Sequence, residues 1–389
     1  MRLKKSMLYL IVGLLLAILL AAFFFIFNPM GLGPEPETVL SEQFFAAPAE
    51  DLSTLDLLVD GNAAFSRMLS DIDSAESSVV IQTFIWKDDD IGNQTVDRLK
   101  AAAGRKVAVI VHKDLLGTFF ELSNMLEGRP SPVFTRKGLR GYRNIAVRVS
   151  WLADTDHSKY VITDQRTVVF GGMNIADEYH TQWHDYMVAI RSAEWTRAFM
   201  GRVLHGRQWP STAPFVIAVN DRAATEIRTA LIEVIDSSKD HLIIEHAYFS
   251  DDKIIAAVKQ AAARGVRVDV ILPKSPDTHL YANMATINRL MASHARKSLR
   301  VFLYPQMMHA KVILSDGGIA AVGSANLTSR SMHTSREVTM FVHGTPDSPF
   351  IRKLRRQLDS DMAMAEQVTD PFTLGGWQRL GAVVGKYVW

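Results

Sequence analysis

His309-Ala-Lys-Val-Ile-Leu-Ser-Asp316 and Gly323-Ser-Ala-Asn326, which follows closely, decide the fold of this chain. The Val-Ile-Leu run lies ahead of a Ser-Asp-Gly-Gly turn, which predicts a strand with His309 and Lys311 near its C-terminal part. Because side chains on a strand alternate between its faces, these two residues point the same way. A second β-rich run then delivers Ser324 and Asn326 into the next loop. An imidazole, an ammonium, a hydroxyl and a carboxamide that converge on one point are typical of a phosphate site.

The same arrangement of polar residues occurs earlier in the chain. The earlier copy runs from His157-Ser-Lys159 through Gly171-Gly-Met-Asn174 to a final carboxylate, as the later copy does. Five polar positions recur at one constant separation of 152 residues, without a gap. The pairs are His157 and His309, Lys159 and Lys311, Asp164 and Asp316, Asn174 and Asn326, and Asp185 and Glu337. Chance does not explain five such coincidences, so the chain contains a duplicated unit.

Helical and strand patterns alternate ahead of each copy of the motif. In the first half they predict helices at 63–72 and 95–103 and strands at 79–86 and 107–111. In the second half they predict helices at 226–235 and 252–263 and strands at 242–249 and 266–272. Such alternation is typical of an α/β sandwich in which helices cover a sheet. The segment 209–214, with two prolines, separates the halves, and we predict domains at 51–210 and 211–389.

The twin motifs resemble those of the phospholipase D superfamily, whose mark is a pair of His-x-Lys-x4-Asp motifs, each followed by Gly-Gly or Gly-Ser and an Asn. The longer sequence around each asparagine is most similar to that of bacterial cardiolipin synthases. These stretches are Gly171-Gly-Met-Asn-Ile-Ala-Asp-Glu-Tyr179 and Gly323-Ser-Ala-Asn-Leu-Thr-Ser-Arg-Ser331. The resemblance covers roughly residues 55 to 345. It implies two tandem phospholipase D-like α/β sandwich domains related by a pseudo-twofold axis. The active site is then expected at the seam, and neither half should work alone.

The residue types fit the chemistry of a phosphodiester. Lys159 and Lys311 neutralise the anion, and Asn174, Asn326 and Ser324 are the candidate phosphate-binding groups beside them. One histidine attacks phosphorus while the other protonates the leaving oxygen, and a phosphohistidine intermediate results. The residues alone leave the two roles interchangeable. The resemblance implies that His157 is the nucleophile and that His309 is the acid and base.

Carboxylates complete the predicted site. Asp185 and Glu337 are expected to hold the histidine tautomers, and the resemblance implies that this contact crosses between halves, Asp185 to His309 and Glu337 to His157. Asp164 and Asp316 stand at the turns, and we interpret them as structural. We expect no metal and no cofactor, since two lysines supply the positive charge. The chain has no cysteine, which excludes a thiol nucleophile and a thiolate metal site.

The resemblance implies phospholipid substrates. The expected reaction moves a phosphatidyl group from one phosphatidylglycerol, or a related lipid, to another and releases glycerol. A hydrolytic phospholipase D would share every motif and yield phosphatidic acid instead. A membrane-anchored nuclease or phosphodiesterase is a further alternative, but a net charge of +2 and the lack of a track of basic and aromatic residues argue against nucleic acid. No obligate protein partner is predicted, and a scaffold without activity would show a decayed motif.

The N-terminus predicts a membrane anchor. Met7–Phe27 is an uncharged, almost wholly apolar run of 21 residues. At about 1.5 Å per residue it reaches roughly 31 Å, enough for a bilayer core. Arg2, Lys4 and Lys5 precede it and acidic residues follow it, so we expect the N-terminus in the cytoplasm and the catalytic domains on the periplasmic side of a bacterial inner membrane. A cleaved signal peptide is the alternative, but the run is longer than a usual signal core. Residues 1–50 are thus a cytoplasmic tip, an anchor and a proline-containing tether.

Two further segments have features of a membrane interface. The segment 115–148 carries apolar side chains and then a basic cluster, which predicts either a lip that dips into the bilayer or a core helix with a solvated loop. At the C-terminus, Trp377, Tyr387 and Trp389 fit either a membrane interface or packing against the second domain. Two departures from the sequence of the resembled family are candidates for headgroup selection. Ala247-Tyr-Phe249, preceded by His246, stands where many members have Pro-Tyr-Phe, and His184 stands where an Arg is common.

Overall fold

A computed structural model describes residues 39–135, 138–150, 155–221, 224–293 and 297–388. In these ranges the chain forms two mixed β-sheets, one in each half, with helices packed on them. The predicted α/β sandwich in each half is therefore confirmed. The predicted anchor Met7–Phe27 lies outside the described residues. Among the helices of the described ranges, none has the length and apolar character needed to cross a membrane.

The first sheet has seven strands in the order β1-β7-β6-β5-β2-β3-β4. Its strands are β1 (Leu55–Val59), β2 (Ser78–Thr83), β3 (Ala108–Asp114), β4 (Ile145–Ser150), β5 (Tyr160–Thr163), β6 (Thr167–Gly171) and β7 (Tyr186–Ile190). The α-helices up to the end of this half are α1 (Glu42–Ala46), α2 (Asp60–Ser74), α3 (Asp90–Gly104), α4 (Leu122–Leu126) and α5 (Ala193–His205). A 3₁₀ helix, Gly117–Glu121, precedes α4, and one π-helical turn, Glu178–Gln182, precedes β7.

The second sheet repeats this order with one added edge strand, β15-β11-β10-β9-β12-β13-β14-β8. Its strands are β8 (Phe215–Asn220), β9 (His241–His246), β10 (Arg267–Pro273), β11 (Leu299–Tyr304), β12 (Lys311–Ser315), β13 (Ile319–Gly323), β14 (Glu337–His343) and β15 (Glu366–Gln367). The helices are α6 (Glu226–Ser237), α7 (Asp252–Ala263), α8 (Leu280–Met291), α9 (Ser329–His333), α10 (Pro349–Met364) and α11 (Gly376–Val388). Read from β8 to β11, the strand order matches that of the first sheet, so the duplication extends to topology. The domain limits 51–210 and 211–389 stay a prediction.

The two sheets share an apolar core. The side chains of β2 alternate between the two faces of the sheet. Val79 and Ile81 pack with α2 and α3 on one face, whereas Val80 packs between the sheets. The shared core contains buried side chains from both halves, among them Phe170 and Val312. Helices α6, α7 and α8 cover the other face of the second sheet. A common core of this kind joins the two halves along one interface.

The strand that carries the second motif differs from the prediction. His309 and Lys311 were expected near the C-terminal part of a strand, but Lys311 is the first residue of β12 and His309 precedes it. The reason lies in the neighbouring strand, because β12 runs antiparallel to β9 and Lys311 pairs with His246 at the C-terminal end of β9. The two segments that follow β3 and β10 also contain strands that the sequence patterns did not predict, β4 and β11.

Asp164 and Asp316 hold turns at the far ends of the motif strands. Asp164 accepts hydrogen bonds from the backbone N–H groups of Glu76, Ser77 and Ser78 at 2.8–2.9 Å. Asp316 accepts in the same way from the N–H groups of residues 239–241 at 2.9–3.2 Å. Each carboxylate therefore ties the turn after its motif strand to the segment that precedes β2 or β9.

Replacing Asp164 with Ala is expected to lower stability and not catalysis. Loss of a charged acceptor for three N–H groups should cost about 1 to 3 kcal/mol of unfolding free energy. Although partial burial opposes the shift, these N–H groups lower the pKa of Asp164 to about 2. The contribution of Asp164 to the unfolding free energy is therefore present above the ordinary aspartate pKa of about 4 and is lost as the pH falls toward 2. Urea unfolding at pH 7 and pH 2.5 measures the difference.

Asp73→Ala is the matched control for Asp164→Ala. Asp73 forms an exposed ion pair with Arg98 at 2.9 Å, and such pairs contribute about 0–1 kcal/mol. Equal stability of the two variants at pH 7 would contradict the structural role of Asp164. So would a large loss of activity per folded molecule in Asp164→Ala.

Candidate active site

The two motif histidines lie where the halves meet. Strand β5 runs antiparallel to β2, and β12 runs antiparallel to β9, so each motif begins beside the C-terminal end of a central strand. His157 N–H donates to the carbonyl of Arg336 at 2.9 Å, and His309 N–H donates to the carbonyl of His184 at 2.7 Å. Each bond joins one half to the other. The backbone therefore aligns the two motif segments across one seam.

The side-chain contacts cross the seam in the same way. His157 Nδ1 lies 2.9 Å from Glu337 Oε1, and His309 Nδ1 lies 2.8 Å from Asp185 Oδ2. An Nδ1–H that donates to a carboxylate leaves the lone pair of the neutral ring on Nε2. Both imidazoles are thus held in the tautomer in which Nε2 is unprotonated. The pairing of Asp185 with His309 and of Glu337 with His157 is the crossed arrangement that the family resemblance implies.

The environments of the two carboxylates differ. Glu337 is fully buried and accepts hydrogen bonds from Ser324 Oγ at 2.5 Å and Ser331 Oγ at 2.7 Å, besides the contact with His157. Although burial opposes the shift, His157, the charge of Lys159 and the hydrogen bond from Ser324 hold the pKa of Glu337 below its ordinary value. Burial raises the pKa of Asp185 to about 7, against the nearby charge of Lys311. The carboxylate beside His157 is therefore the more firmly ionised of the two.

The lysines lie against the histidines of their own motifs. Lys159 Nζ donates to the carbonyl of His157, and Lys311 Nζ donates to the carbonyl of His309 at 2.6 Å. Lys311 Nζ also lies 3.1 Å from His309 Nε2. Burial lowers the pKa of Lys159 to about 7 and that of Lys311 to about 8. Two buried ammonium groups that lose their protons this readily are suited to an anion, which restores their charge when it binds.

The histidines also have lowered pKa values. Burial, opposed by Glu337, lowers the pKa of His157. Burial and then the charge of Lys311 hold the pKa of His309 well below its ordinary value. Both rings are therefore neutral in the free site at neutral pH, and a bound phosphate favours the imidazolium that an acid catalyst needs.

We expect kcat/KM to follow a bell-shaped pH profile, because one imidazole must be neutral and the other charged. Since burial lowers both histidine pKa values, the alkaline limb should begin below the ordinary histidine pKa, as the required imidazolium is lost. This limb should steepen as the pH rises through about 7, where Lys159 loses the charge that binds the phosphate. Lys159→Arg keeps that charge, so its alkaline limb should lack the steeper part until about pH 8, where Lys311 titrates. An equally steep limb in Lys159→Arg would assign the steepening to another group.

The two motif asparagines are used differently. Asn174 accepts from Ile85 N–H and donates to Tyr179 Oη, both at 2.9 Å, so its carboxamide oxygen and one N–H group are bonded to other protein groups. Asn326 Oδ1 is buried without a hydrogen-bond partner among the residues that the structure describes. Asn174 therefore positions Tyr179. A phosphate oxygen needs a donor, so we propose that the Nδ2–H group of Asn326 makes the expected phosphate contact.

Ser324 was also expected at the phosphate. Instead its hydroxyl donates to Glu337 Oε2 and accepts from Val338 N–H at 3.0 Å. The single hydroxyl proton is thus committed to the carboxylate. This differs from the expectation because the loop after β13 packs against β14, where Glu337 begins the strand. We propose that Ser324 supports Glu337.

Several residues at the site were not found from the sequence. The rings of Tyr179, Trp183 and Tyr248 surround His309, with centroids 5.1, 5.9 and 6.1 Å from its own. The Phe84 ring packs edge-to-face against the His157 imidazole, with the ring centroids 4.9 Å apart. Ser331 and Tyr179 were detectable in principle, because they are separated by the same 152 residues as the motif pairs.

A second cluster of ionisable groups surrounds His184, the residue that precedes Asp185. His184 Nε2 is 3.3 Å from Glu245 Oε1 and 3.2 Å from Asp361 Oδ2, and His184 Nδ1 is 2.6 Å from Asp60 Oδ1. One ligand atom from each of His184, Glu245 and Asp361 falls within 4.8 Å of the others, so these residues could hold a metal ion. Although burial opposes the shift, contacts with Asp361 and Asp60 hold the pKa of His184 well above its ordinary value. An imidazolium shared among carboxylates accounts for the same geometry, and the expected headgroup contact of His184 does not fit a side chain this buried.

Comparisons with known proteins identify the family of the chain. The family described as cardiolipin synthase, PLD-like domain, matches residues 68–203 and 231–362. A cardiolipin synthase A from Pseudomonas entomophila is 30% identical over 363 residues, which cover 85% of this chain and 74% of that protein. The major cardiolipin synthase ClsA of Bacillus subtilis is 27% identical over 351 residues, 82% of this chain and 70% of that protein.

Solved structures share the fold. A phosphatidylserine synthase from Haemophilus influenzae has a TM-score of 0.71 at 13% identity, covering 87% of this chain and 93% of that chain. A polyphosphate kinase from Porphyromonas gingivalis has a TM-score of 0.54, also at 13% identity, covering 90% of this chain and 56% of that chain. At this identity the likeness concerns the tandem architecture alone.

Proposed function

The chain belongs to the cardiolipin synthase family of phospholipase D-like proteins, and from that premise we propose that it moves a phosphatidyl group from one phosphatidylglycerol, or a related lipid, to another. It is a phosphatidyltransferase of the phospholipase D type. The observation that supports the proposal most strongly is the crossed pair of contacts, His157 with Glu337 and His309 with Asp185. Each half supplies one imidazole and the carboxylate that orients the other.

In the first half-reaction, His157 Nε2 attacks the donor phosphorus. A P–N bond forms, and the bond from phosphorus to the glycerol oxygen breaks. His309, as an imidazolium, gives its proton to that oxygen, so glycerol leaves as a neutral alcohol. Glu337 accepts from Nδ1 and stabilises the positive charge that develops on His157.

In the second half-reaction, the acceptor lipid takes the place of glycerol. Its terminal hydroxyl gives a proton to His309, which is now neutral, and its oxygen attacks phosphorus. The P–N bond breaks and cardiolipin forms, which returns both histidines to their starting states. Lys159, Lys311 and Asn326 are proposed to hold the non-bridging phosphate oxygens throughout, where charge develops.

We also propose that the chain works at a bacterial inner membrane, anchored by Met7–Phe27, with its catalytic domains on the periplasmic side. The sequence of the N-terminal run and its flanking charges supports this topology. A phosphatidyl group cannot leave the bilayer without exposing its acyl chains, so an enzyme held at the membrane meets both substrates there.

Incubation with phosphatidylglycerol vesicles tests the reaction. We expect cardiolipin and glycerol in equal amounts, identified by mass spectrometry, and none without the protein. Phosphatidic acid as the main product would instead indicate hydrolysis, in which water replaces the acceptor in the second half-reaction. Failure to consume any phospholipid, with cleavage of a soluble phosphodiester, would favour the phosphodiesterase alternative.

A further inference from the structure

Apolar side chains are exposed on the short helical segment that follows β3. We define the first apolar patch as Phe119, Phe120, Leu122, Met125 and Leu126, of which Leu126 is 81% exposed. The segment is firmly attached, because Glu121, fully buried, forms an ion pair of 2.9 Å with buried Lys113 and accepts from Trp86 N–H at 2.7 Å. Breaking a buried pair is costly, so the fold holds these apolar side chains in their exposed positions.

The first apolar patch adjoins His157. The ring of Phe84 lies 5.8 Å from that of Phe120 and 4.9 Å from that of His157. A Cβ added to Gly117 would lie 1.8 Å from the Phe84 carbonyl oxygen, so the patch segment and Phe84 are packed as one unit. One aromatic side chain therefore separates the patch from a motif histidine.

Helix α11 carries a second exposed apolar surface. We define the second apolar patch as Trp377, Leu380, Val383 and Val384, of which Trp377 is 85% exposed. The side of the helix that carries Gly381 and Gly385 packs on α8, where a Cβ at Gly381 would lie 2.9 Å from the Tyr281 ring. The small residues thus attach the helix to the domain, and its large apolar residues point away from it.

Packed side chains connect the helix that carries the second apolar patch to His309. Gly385 lies beside His279, since a Cβ there would be 3.9 Å from the imidazole. His279 stacks on Tyr248 with centroids 4.5 Å apart, and Tyr248 lies 6.1 Å from His309. Each patch segment is therefore connected through packed side chains to one motif histidine, the first to His157 and the second to His309.

We propose that the first and second apolar patches together form a surface that contacts the lipid bilayer around the mouth of the catalytic cleft. This inference rests on the proposed function: the phosphate of each lipid must reach the histidines while its acyl chains stay in the bilayer. Apolar rims on both sides of the cleft allow that transfer without exposing the chains to water. Exposed Arg140 and Arg143 follow the first patch and Arg379 borders the second, which suits anionic headgroups.

Absence of cysteine from the sequence permits a direct test. A single cysteine placed in the full-length chain at Leu126 or Leu380 carries an environment-sensitive fluorophore, and the protein is reconstituted into phosphatidylglycerol vesicles with and without spin-labelled lipid. Both probes should emit as if in an apolar medium and be quenched by the spin label. Probes at exposed Glu76 and Lys239, near the turns at the far ends of the motif strands, should stay in water.

A second measurement compares rates. Burial of one large apolar side chain is worth about tenfold or more in an equilibrium constant. Leu126→Ser combined with Leu380→Ser should therefore reduce the vesicle rate at least tenfold more than the rate in detergent micelles. Met364→Ser, which alters an exposed apolar side chain at the end of α10, should change the two rates equally.

The outcomes separate this surface from the proposed function. Unquenched probes, in a protein that still makes cardiolipin, would overturn the surface and leave the function standing. Probes that are already in an apolar medium without vesicles would also overturn it, because a second copy of the chain or the Met7–Phe27 run would then cover the patches. Quenched probes without any lipid product would support the surface and reject the function.

Discussion

Replacing either His157 or His309 with Asn should abolish transfer, with a loss of at least about 10⁴-fold in kcat. Asn can still donate to the partner carboxylate from a position close to that of Nδ1, so the seam is expected to stay intact. It lacks a nucleophilic or titratable nitrogen at the position of Nε2, which removes the attacking group in one variant and the acid in the other. Initial rates with labelled phosphatidylglycerol, beside thermal unfolding of each variant, measure the effect.

The covalent adduct distinguishes the two histidines. If His157 is the nucleophile, His157→Asn forms no phosphohistidine, whereas His309→Asn still forms one with a donor whose leaving group needs no proton. The reverse pattern would exchange the roles. Catalysis that survives above a few per cent in His157→Asn would reject its part in the mechanism altogether.

Replacing Glu337 with Gln is expected to reduce kcat by roughly 10²- to 10⁴-fold, because the buried carboxylate both selects the His157 tautomer and stabilises its positive charge. Glu337 accepts from His157, Ser324 and Ser331. A carboxamide has one oxygen, so one of these donors would face an N–H group. Rates across pH with phosphatidylglycerol, together with binding of a non-reactive lipid analogue, separate loss of chemistry from loss of binding.

Ser324→Ala is the matched control for Glu337→Gln. It removes one hydrogen bond to the same carboxylate and keeps the charge, so a loss of about tenfold is expected. Asp185→Asn should cost less than Glu337→Gln, because Asp185, the corresponding partner of His309, has a pKa of about 7 and is only partly ionised at neutral pH. Equal losses in Ser324→Ala and Glu337→Gln would show that the hydroxyl, and not the charge, is what His157 requires.

The constant separation of 152 residues made much of the site predictable. A duplicated motif with invariant spacing requires two equivalent units, and the catalytic groups of both have to meet for either to be useful. The turn function of Asp164 and Asp316 followed from their position after a strand. The structure brings each motif histidine to the carboxylate of the opposite half and places both aspartates at turns, whereas the Asn174 amide bonds to Ile85 and Tyr179.

Tertiary packing decided the rest. Ser324 bonds to Glu337 because the loop after β13 folds against β14, which no local pattern reveals. The aromatic walls at His157 and His309 come from residues distant in sequence, such as Phe84 and Tyr248. His184 contacts Asp361 on α10, far along the chain, so its burial was not predictable from the motif.

A crystal structure with vanadate bound measures the central claim most directly, because vanadate adopts the geometry of a phosphoryl group under attack. The proposed mechanism predicts one vanadium atom bonded to Nε2 of one motif histidine, with Nε2 of the other within hydrogen-bond distance of the opposite oxygen. Lys159 and Lys311 should contact the remaining oxygens. Vanadate bound to a single half, with His157 and His309 facing separate pockets, would contradict it.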